Sequence, residues 1–376
     1  MTKHVLVFGM TANHGGIESF LMNVFRSTDP AAVKFDFLTN EKRIAYQEEI
    51  LARGSHVYHI PMRSKDPLSY FSALPRFFAK IGPYYDACWE NVCSLGNVDY
   101  LAQAKRIGIP TRVIHCHNSQ NMEGALRGAL HKVNRKRITH LATDYWSCAD
   151  SASRWFYGPD LMASPRYHVI NNAIDVARFA PNADLRAATR AQLGIANHTT
   201  VIGNVGRFQK QKNHPFLLRM FQQYHRQNPD SALLLLGDGA TMPDMKKLAQ
   251  TLGIADAARF LGERDDALPF YQAMDLFLFP SLVEGMSVAL LEAQAAGLPC
   301  LISTGNPEAA VINGNVERLG LDLPAEAWAS AATQLAGRRL AESDNRLPGS
   351  VYDIRTQAHV VQDFFAGNHT ALKESY

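Results

Sequence analysis

Long uninterrupted apolar runs are missing from this chain. No stretch approaches the roughly 20 residues of a membrane-spanning helix, so a transmembrane protein is not expected. Cysteine is scarce as well. The five present, Cys88, Cys93, Cys116, Cys148 and Cys300, are odd in number and lack metal-ligand spacing, so no disulfide and no zinc are expected and a reducing compartment is implied. Met1-Thr2-Lys3-His4 leads straight into the apolar Val5-Leu6-Val7-Phe8, so no secretory leader is expected either. The G-x-G-x-x-G fingerprint is absent, which disfavours a nicotinamide cofactor. No D-x-D run stands at a strand end, and internal repeats and low-complexity segments are not evident.

What is present is a globular composition, 47% hydrophobic and 19% charged, in 376 residues, more than one ordinary core requires. Two α/β domains are the natural division. The opening strand through Phe8 is followed by the turn Met10 to Gly16 and an amphipathic helix from Ile17 to Phe25. Further strands are predicted at 33–38, 56–60, 84–89, 112–116, 142–148 and 167–170, and this βα alternation argues for parallel sheets covered by helices. The first domain is expected over 1–178 and the second over 179–353, entered through a polar, alanine-rich linker after Asn182. The tail 354–376 is expected to be a helix that packs back. Net charge is only +3, but residues 1–178 hold 21 Lys+Arg against 15 Asp+Glu, while 179–376 hold 17 against 20. Residues 68–81, rich in aromatics with Arg76 and Lys80, and 127–137, with five basic residues, suit either a membrane-surface patch or an ordinary solvated helix. No nucleic-acid motif accompanies them.

In the second half, strands are predicted at Val201 to Val205, Ala232 to Leu236 and Arg259 to Leu261, with helices from Pro215 to His225 and Met245 to Leu252. The most informative stretch is FPSLVEGMSVALLEAQAAGLP, residues 279–299. A strand over 275–279, apolar from Leu276 onward, ends at Pro280. Ser287 is placed to cap a helix from Val288 to Ala296, and Gly297 with Pro299 stops it. The free N–H groups of Gly285, Met286, Ser287, Val288 and Ala289 would suit a diphosphate, and Glu284 and Glu292 would accept from sugar or ribose hydroxyls. The plainer alternative makes Glu284 a helix cap and Glu292 part of a solvated face. Gly206 to His214, GRFQKQKNH, puts Arg207 and Lys212 at a strand end, where α/β proteins bind ligands, although basic loops are common. Gly237-Asp238-Gly239 and Gly15-Gly16 are glycine turns at other strand ends, with a simple turn as the alternative in each case.

The strings GRFQKQKNH, LLLLGDGA and EGMSVALLEAQAAGLP resemble the retaining glycosyltransferases of family four, which adopt the GT-B fold: two Rossmann-like α/β domains whose parallel sheets face an interdomain cleft. The order GGIESFLMN, HCHNS, SCADSASRWFYG, VINNAID, GRFQKQKNH, GDG, PSLVEG is similar to their branch acting in exopolysaccharide or capsule assembly. The resemblance implies an acceptor-binding first domain and a nucleotide-sugar-binding second one. It implies that Glu284 contacts donor-sugar hydroxyls, Glu292 holds the ribose diol, Arg207 and Lys212 hold the diphosphate, and Gly15 and Gly16 approach a phosphate. Gly237, Asp238, Gly285, Met286, Ser287 and Val288 complete the donor site. His117 matches a histidine near the transferred sugar, with His115 two residues away as the competing choice. Catalysis would rest on His117, Glu284, Arg207 and Lys212, with no metal and no cofactor. The implied reaction moves a hexose or N-acetylhexosamine from a nucleoside-diphosphate sugar, UDP by preference, to a saccharide, lipid-linked, at the inner face of the plasma membrane. Rival readings are a non-catalytic nucleotide-sugar-binding partner of a transferase and a nucleotide-sugar epimerase. Asn204, Asn171 and Met286-Ser287 depart from the branch pattern and are expected to retune the sugar pocket.

Overall fold

Apolar runs that cannot all lie on one helix face become strands buried on both sides. In the computed structural model, which describes residues 1–13, 15–117 and 125–368 and, among these, all side chains but those of 125–127 and 150–152, they build two parallel sheets. The first contains β1 Lys3–Phe8, β2 Val33–Thr39, β3 Val57–His59, β4 Ala87–Val92, β5 Thr111–Cys116, β6 Asp144–Ser147 and β7 Tyr167–Val169, in the order β3-β2-β1-β4-β5-β6-β7. The second contains β8 Thr200–Val205, β9 Ser231–Leu236, β10 Ala258–Gly262, β11 Leu276–Phe279, β12 Cys300–Ser303 and β13 Val316–Leu319, in the order β10-β9-β8-β11-β12-β13. Each sheet therefore reverses its winding once, between β1 and β4 in the first and between β8 and β11 in the second. At such a reversal the loops leaving adjacent strands diverge to opposite faces and leave a crevice for a ligand.

The chain divides into residues 1–173 with 354–376, and residues 174–353. The helix Ile354–Ala366 belongs to the first unit, where Phe364 packs edge-on against Trp146 at 4.9 Å and Phe365 lies 5.5 Å from Trp89. Those rings, with Val5, Val7, Phe20 and Phe37, form one continuous core. In the second unit β11 is completely buried along its whole length.

Most predicted strands stand within one or two residues of their expected places, and two expectations fail for identifiable reasons. The strand expected at 84–89 begins at Ala87, because Gly82–Tyr84 closes a 3-10 turn and the Tyr85 hydroxyl donates to Asp36 at 2.9 Å. The segment expected as a linker is the helix Ala183–Gln192. Its Arg186 and Arg190 both reach Asp275, at 2.5 and 3.2 Å, and donate to carbonyls at Met274 and Ala273.

Residues 68–81 lie in the helix Pro67–Ile81, N-capped by Asp66. It buries Tyr70, Leu74 and Phe78 and exposes Leu68, Phe71, Arg76 and Lys80. The helix Ala125–Leu141 exposes Lys132, Arg135, Lys136 and Arg137; the Arg127 side chain lies outside the described residues. Among the described residues no helix is long and apolar enough to cross a membrane.

Candidate functional site

The loops that leave β8 and β11 are sewn together where the second sheet reverses. Leu282 N–H donates to the Gln211 carbonyl at 2.8 Å, Gln211 Nε2 to the Val283 carbonyl at 2.7 Å, and Asn213 Nδ2 to the Pro280 carbonyl at 3.1 Å. Asn213 takes φ +54°, a left-handed turn that asparagine tolerates, and so joins the 3-10 turn Lys210–Lys212 to the helix His214–Gln227. The result is a direct ion pair between two residues the sequence had marked separately. Lys212 Nζ donates to Glu284 Oε1 at 2.7 Å, with the side chains only 13% and 8% exposed, and the ammonium lies 4.6 Å from the Phe279 ring centroid. Removing either partner would strand a poorly solvated charge.

Arg207 is exposed, and among the described residues its side chain has no hydrogen bond or ion pair. Asp238, also exposed, accepts from Gly239 N–H at 2.7 Å. Gly237 and Gly239 have φ of +124° and +153°, and a Cβ on either would run into the carbonyl of Gly206 or Phe208. Packing of one loop on another is thus sufficient reason for these two glycines.

Ser287 occupies the N-cap of the helix Val288–Ala295 in extended conformation, but its side chain makes no cap hydrogen bond, contrary to expectation. The first-turn N–H groups beyond Ser287 therefore retain donor capacity, and nothing described lies within 4 Å of where a Cβ on Gly285 would stand. Gly297, at φ +69°, ends the helix as expected. Glu292 lies one turn inside this helix and has a partner of its own: the buried Tyr271 hydroxyl is 2.9 Å from Glu292 Oε2 and 3.1 Å from the Ala289 carbonyl. Burial pushes the Glu292 carboxyl up to about 7 against the pull of that hydrogen bond. Glu284 and Glu292 are thus held by different groups, the one by a cation and the other by a phenol.

The equivalent reversal in the first sheet is built without an ion pair among the residues described next. Gly9, at φ +126°, lies so close to Asn91 on β4 that a Cβ would collide with its carbonyl. Beyond it, Glu18 Oε1 accepts from Thr11 N–H at 3.0 Å and from the Thr11 hydroxyl at 2.6 Å, while Oε2 accepts from Gly15 N–H at 3.1 Å. Glu18 therefore shapes the glycine loop while 5% exposed itself. Gly15 is the N-cap of the helix Gly16–Ser27, and no described atom approaches the place of a Gly16 Cβ. His14 and the Asn118-Ser119 end of the HCHNS motif lie outside the described residues.

His117 follows β5, and its Nε2 lies 2.9 Å from Asn91 Oδ1. Asn91 Nδ2 is directed to the Phe8 carbonyl at 3.4 Å, so Oδ1 faces the imidazole, Nε2 carries the proton and Nδ1 is left as an acceptor. Burial pushes His117 down to about 3, which makes it a neutral group throughout the physiological range. His115 is fully buried, stacked on Trp89 with interplanar angle 9°, and both ring nitrogens lack a partner among the described residues. Of the two histidines only His117 has an oriented hydrogen-bonding edge.

Three further residues are drawn in that sequence reading missed. Glu18 had a signal, since an acidic residue three places after a cap is a capping-box spacing. Asn91 and Tyr271 had none, because each acts on a residue far along the chain.

Comparison with known proteins bears on the whole chain. A family model described as Glycosyl transferases group 1 matches residues 199–338. EpsF of Bacillus subtilis (strain 168), a protein named as a glycosyltransferase, is 33% identical over 343 residues, covering 89% of this chain and 88% of EpsF. The Escherichia coli UDP-Gal:alpha-D-GlcNAc-diphosphoundecaprenol alpha-1,3-galactosyltransferase is 35% identical over 238 residues, covering 61% of this chain and 59% of its own. Among solved structures, Anabaena Alr3699/HepE in complex with UDP and glucose superposes with TM-score 0.75 at 18% identity over 96% of this chain and 99% of its own. WaaG, a glycosyltransferase involved in lipopolysaccharide biosynthesis, does so with TM-score 0.69 at 15% identity over 98% of this chain and all of its own. These likenesses give the two-sheet architecture its name, the GT-B fold. With one third of its residues shared with EpsF across nearly the full length of both, the chain belongs to the group 1 glycosyltransferases.

Proposed function

We propose that this glycosyltransferase is a retaining enzyme that moves a hexose or N-acetylhexosamine from a nucleoside-diphosphate sugar, UDP by preference, to a lipid-linked saccharide in exopolysaccharide or capsule assembly. The observation that carries this reading is the meeting of Lys212 and Glu284 at the reversal of the second sheet, with Arg207, which has no partner among the described residues, in the loop after β8 and a helix start that Ser287 does not cap after β11. The names of relatives support it: the E. coli enzyme is named for a UDP-galactose donor and a diphosphoundecaprenol-linked acceptor, and the Anabaena structure holds UDP and glucose.

In this reading the second unit binds the donor and the first the acceptor. Arg207 and Lys212 take the diphosphate together with the first-turn N–H groups after Ser287, and Lys212 exchanges Glu284 for a phosphate oxygen as the donor enters. Glu284, released, accepts from hydroxyls of the donor sugar, and Glu292 from the ribose diol. Charge that develops on the departing diphosphate is then met by two cations and aligned N–H dipoles, so leaving-group stabilisation is the main catalytic device and no metal is required. Neutral His117 offers Nδ1 to a sugar hydroxyl. The exposed Leu68, Phe71, Arg76 and Lys80, with the cations of the helix Ala125–Leu141, suit peripheral contact with an anionic membrane on its cytoplasmic side.

A thermal-shift panel of nucleotide sugars tests the donor. One nucleotide sugar is expected to raise the melting temperature of the wild type and not that of Glu292→Ala. Transfer should persist in excess chelator, and the protein should sediment with anionic liposomes at low salt. A panel that moves nothing, or activity lost to chelator and restored by metal, would overturn the corresponding part.

A further inference from the structure

Glu292 is placed by a residue outside every motif considered above. Tyr271 lies in the short helix Leu268–Ala273, fully buried, with its ring 5.9 Å from both Phe179 and Phe277. Packing on both sides fixes the ring, so the hydroxyl has one position. From there it reaches two acceptors, Glu292 Oε2 at 2.9 Å and the Ala289 carbonyl at 3.1 Å. A hydroxyl has one proton to give, and the Ala289 carbonyl sits within a helix whose backbone already supplies a donor four residues on. The carboxylate is the stronger acceptor and takes the proton.

We propose that Tyr271 is a positioning residue for the donor nucleotide: its buried hydroxyl pins Glu292 Oε2 and leaves Oε1 for the ribose diol. The proposal rests on the reading that Glu292 binds that diol. A carboxylate offers about four acceptor directions, so one committed to Tyr271 still leaves enough for two hydroxyls.

The other charged groups facing Glu292 are Arg178, from the helix Val176–Phe179, and Asp266, just ahead of the Tyr271 helix. They pair with each other at 2.9 Å, each about half exposed, and they act on Glu292 in opposite senses. Their influence largely cancels and is screened by solvent. That leaves the phenol as the principal group opposing the effect of burial, which on its own favours the neutral acid.

The test is Tyr271→Phe, which keeps the ring and deletes the hydroxyl. Its affinity for UDP, GDP and ADP, and for the 2′-deoxy counterpart of whichever binds wild type best, is measured by titration calorimetry from pH 6 to 9. The best ribonucleotide is expected to bind about tenfold more weakly at pH 7, with the deficit shrinking towards pH 9 and the 2′-deoxy nucleotide unaffected. Equal affinity at every pH, or a loss that is the same at all pH values and for both sugars, would overturn the proposal and leave Tyr271 as a packing residue. If the single variant fails to fold, the double variant Tyr271→Phe/Glu292→Gln, in which no ionised carboxyl is stranded, carries the test. It should bind no worse than Glu292→Gln alone, and an added loss would count against the proposal. Two further outcomes concern the underlying reading instead. Wild-type affinity in Glu292→Gln would remove Glu292 from the ribose, and binding of none of the three diphosphates would remove the donor site.

Discussion

The two sheet reversals share a topology and differ in chemistry. Between β8 and β11 the groups brought together are ionic, with Lys212 bonded to Glu284 and Arg207 exposed and without a side-chain partner among the described residues. Between β1 and β4, and on the neighbouring β5, they are a glycine loop tied by a buried Glu18, an Asn91 amide and a neutral His117. On the proposed reading, the first crevice exchanges charge with an incoming anion. In the other the Glu18 carboxyl is spent on the loop's own donors, and the Asn91 amide and His117 imidazole supply hydrogen bonds of fixed direction. The same topology thus carries an ion pair at one switch point and a directed hydrogen-bond network at the other.

The comparison breaks most sharply at Lys212. Lys212→Ala is expected to lower transfer by about 10²–10³-fold, the scale of losing a donor to a developing anion. Because it strands Glu284, the double variant Lys212→Ala/Glu284→Gln is needed beside it; recovery of the melting temperature without recovery of transfer would separate catalysis from folding. His117→Ala should cost less, about tenfold, and should leave the shape of the rate profile between pH 5 and 8 unchanged, because burial keeps the imidazole neutral across that range. A limb in that profile that disappears with His117 would contradict the neutral assignment.

Glu284→Gln sharpens the contrast in a smaller way. With its resting partner neutralised, Lys212 should bind UDP about fivefold more tightly, the equivalent of about 1 kcal/mol, while sugar transfer falls, since the ion pair no longer competes with the diphosphate. Weaker UDP binding in this variant would mean that the pair does not compete with the diphosphate. A further effect, read in stability and not in transfer, is expected at Glu292. Its folded carboxyl is raised to about 7 from an ordinary 4.5, so its favourable contribution is complete below the unfolded value and is lost as pH rises through 7. Glu292→Gln should therefore melt like wild type near pH 4 and above it at pH 8, and a melting gap identical at both pH values would exclude this linkage.

Much of this architecture was legible in local pattern. The run Leu276–Phe279 is apolar at every position, as a strand covered on both faces requires, and Gly297 marks its helix end because a left-handed stop favours glycine. The helix Ala183–Gln192 was misjudged because its polar surface reads as linker until Arg186 and Arg190 are seen on Asp275, 89 and 85 residues away. Ser287 stood where a cap belongs, yet its side chain makes no cap bond, and spacing cannot report which way a hydroxyl turns.

By itself the sequence determined where strands and helices form and which residue types arrive at their ends, because hydrophobic period, glycine and proline act over a few neighbouring positions. Only the tertiary structure decided the partnerships: Lys212 with Glu284 across 72 residues, Asn91 with His117 across 26, and Tyr271 with Glu292 across 21. Strand order brings those loops side by side, and burial then forces each polar group to take the partner that lies within reach, which no single stretch of chain encodes.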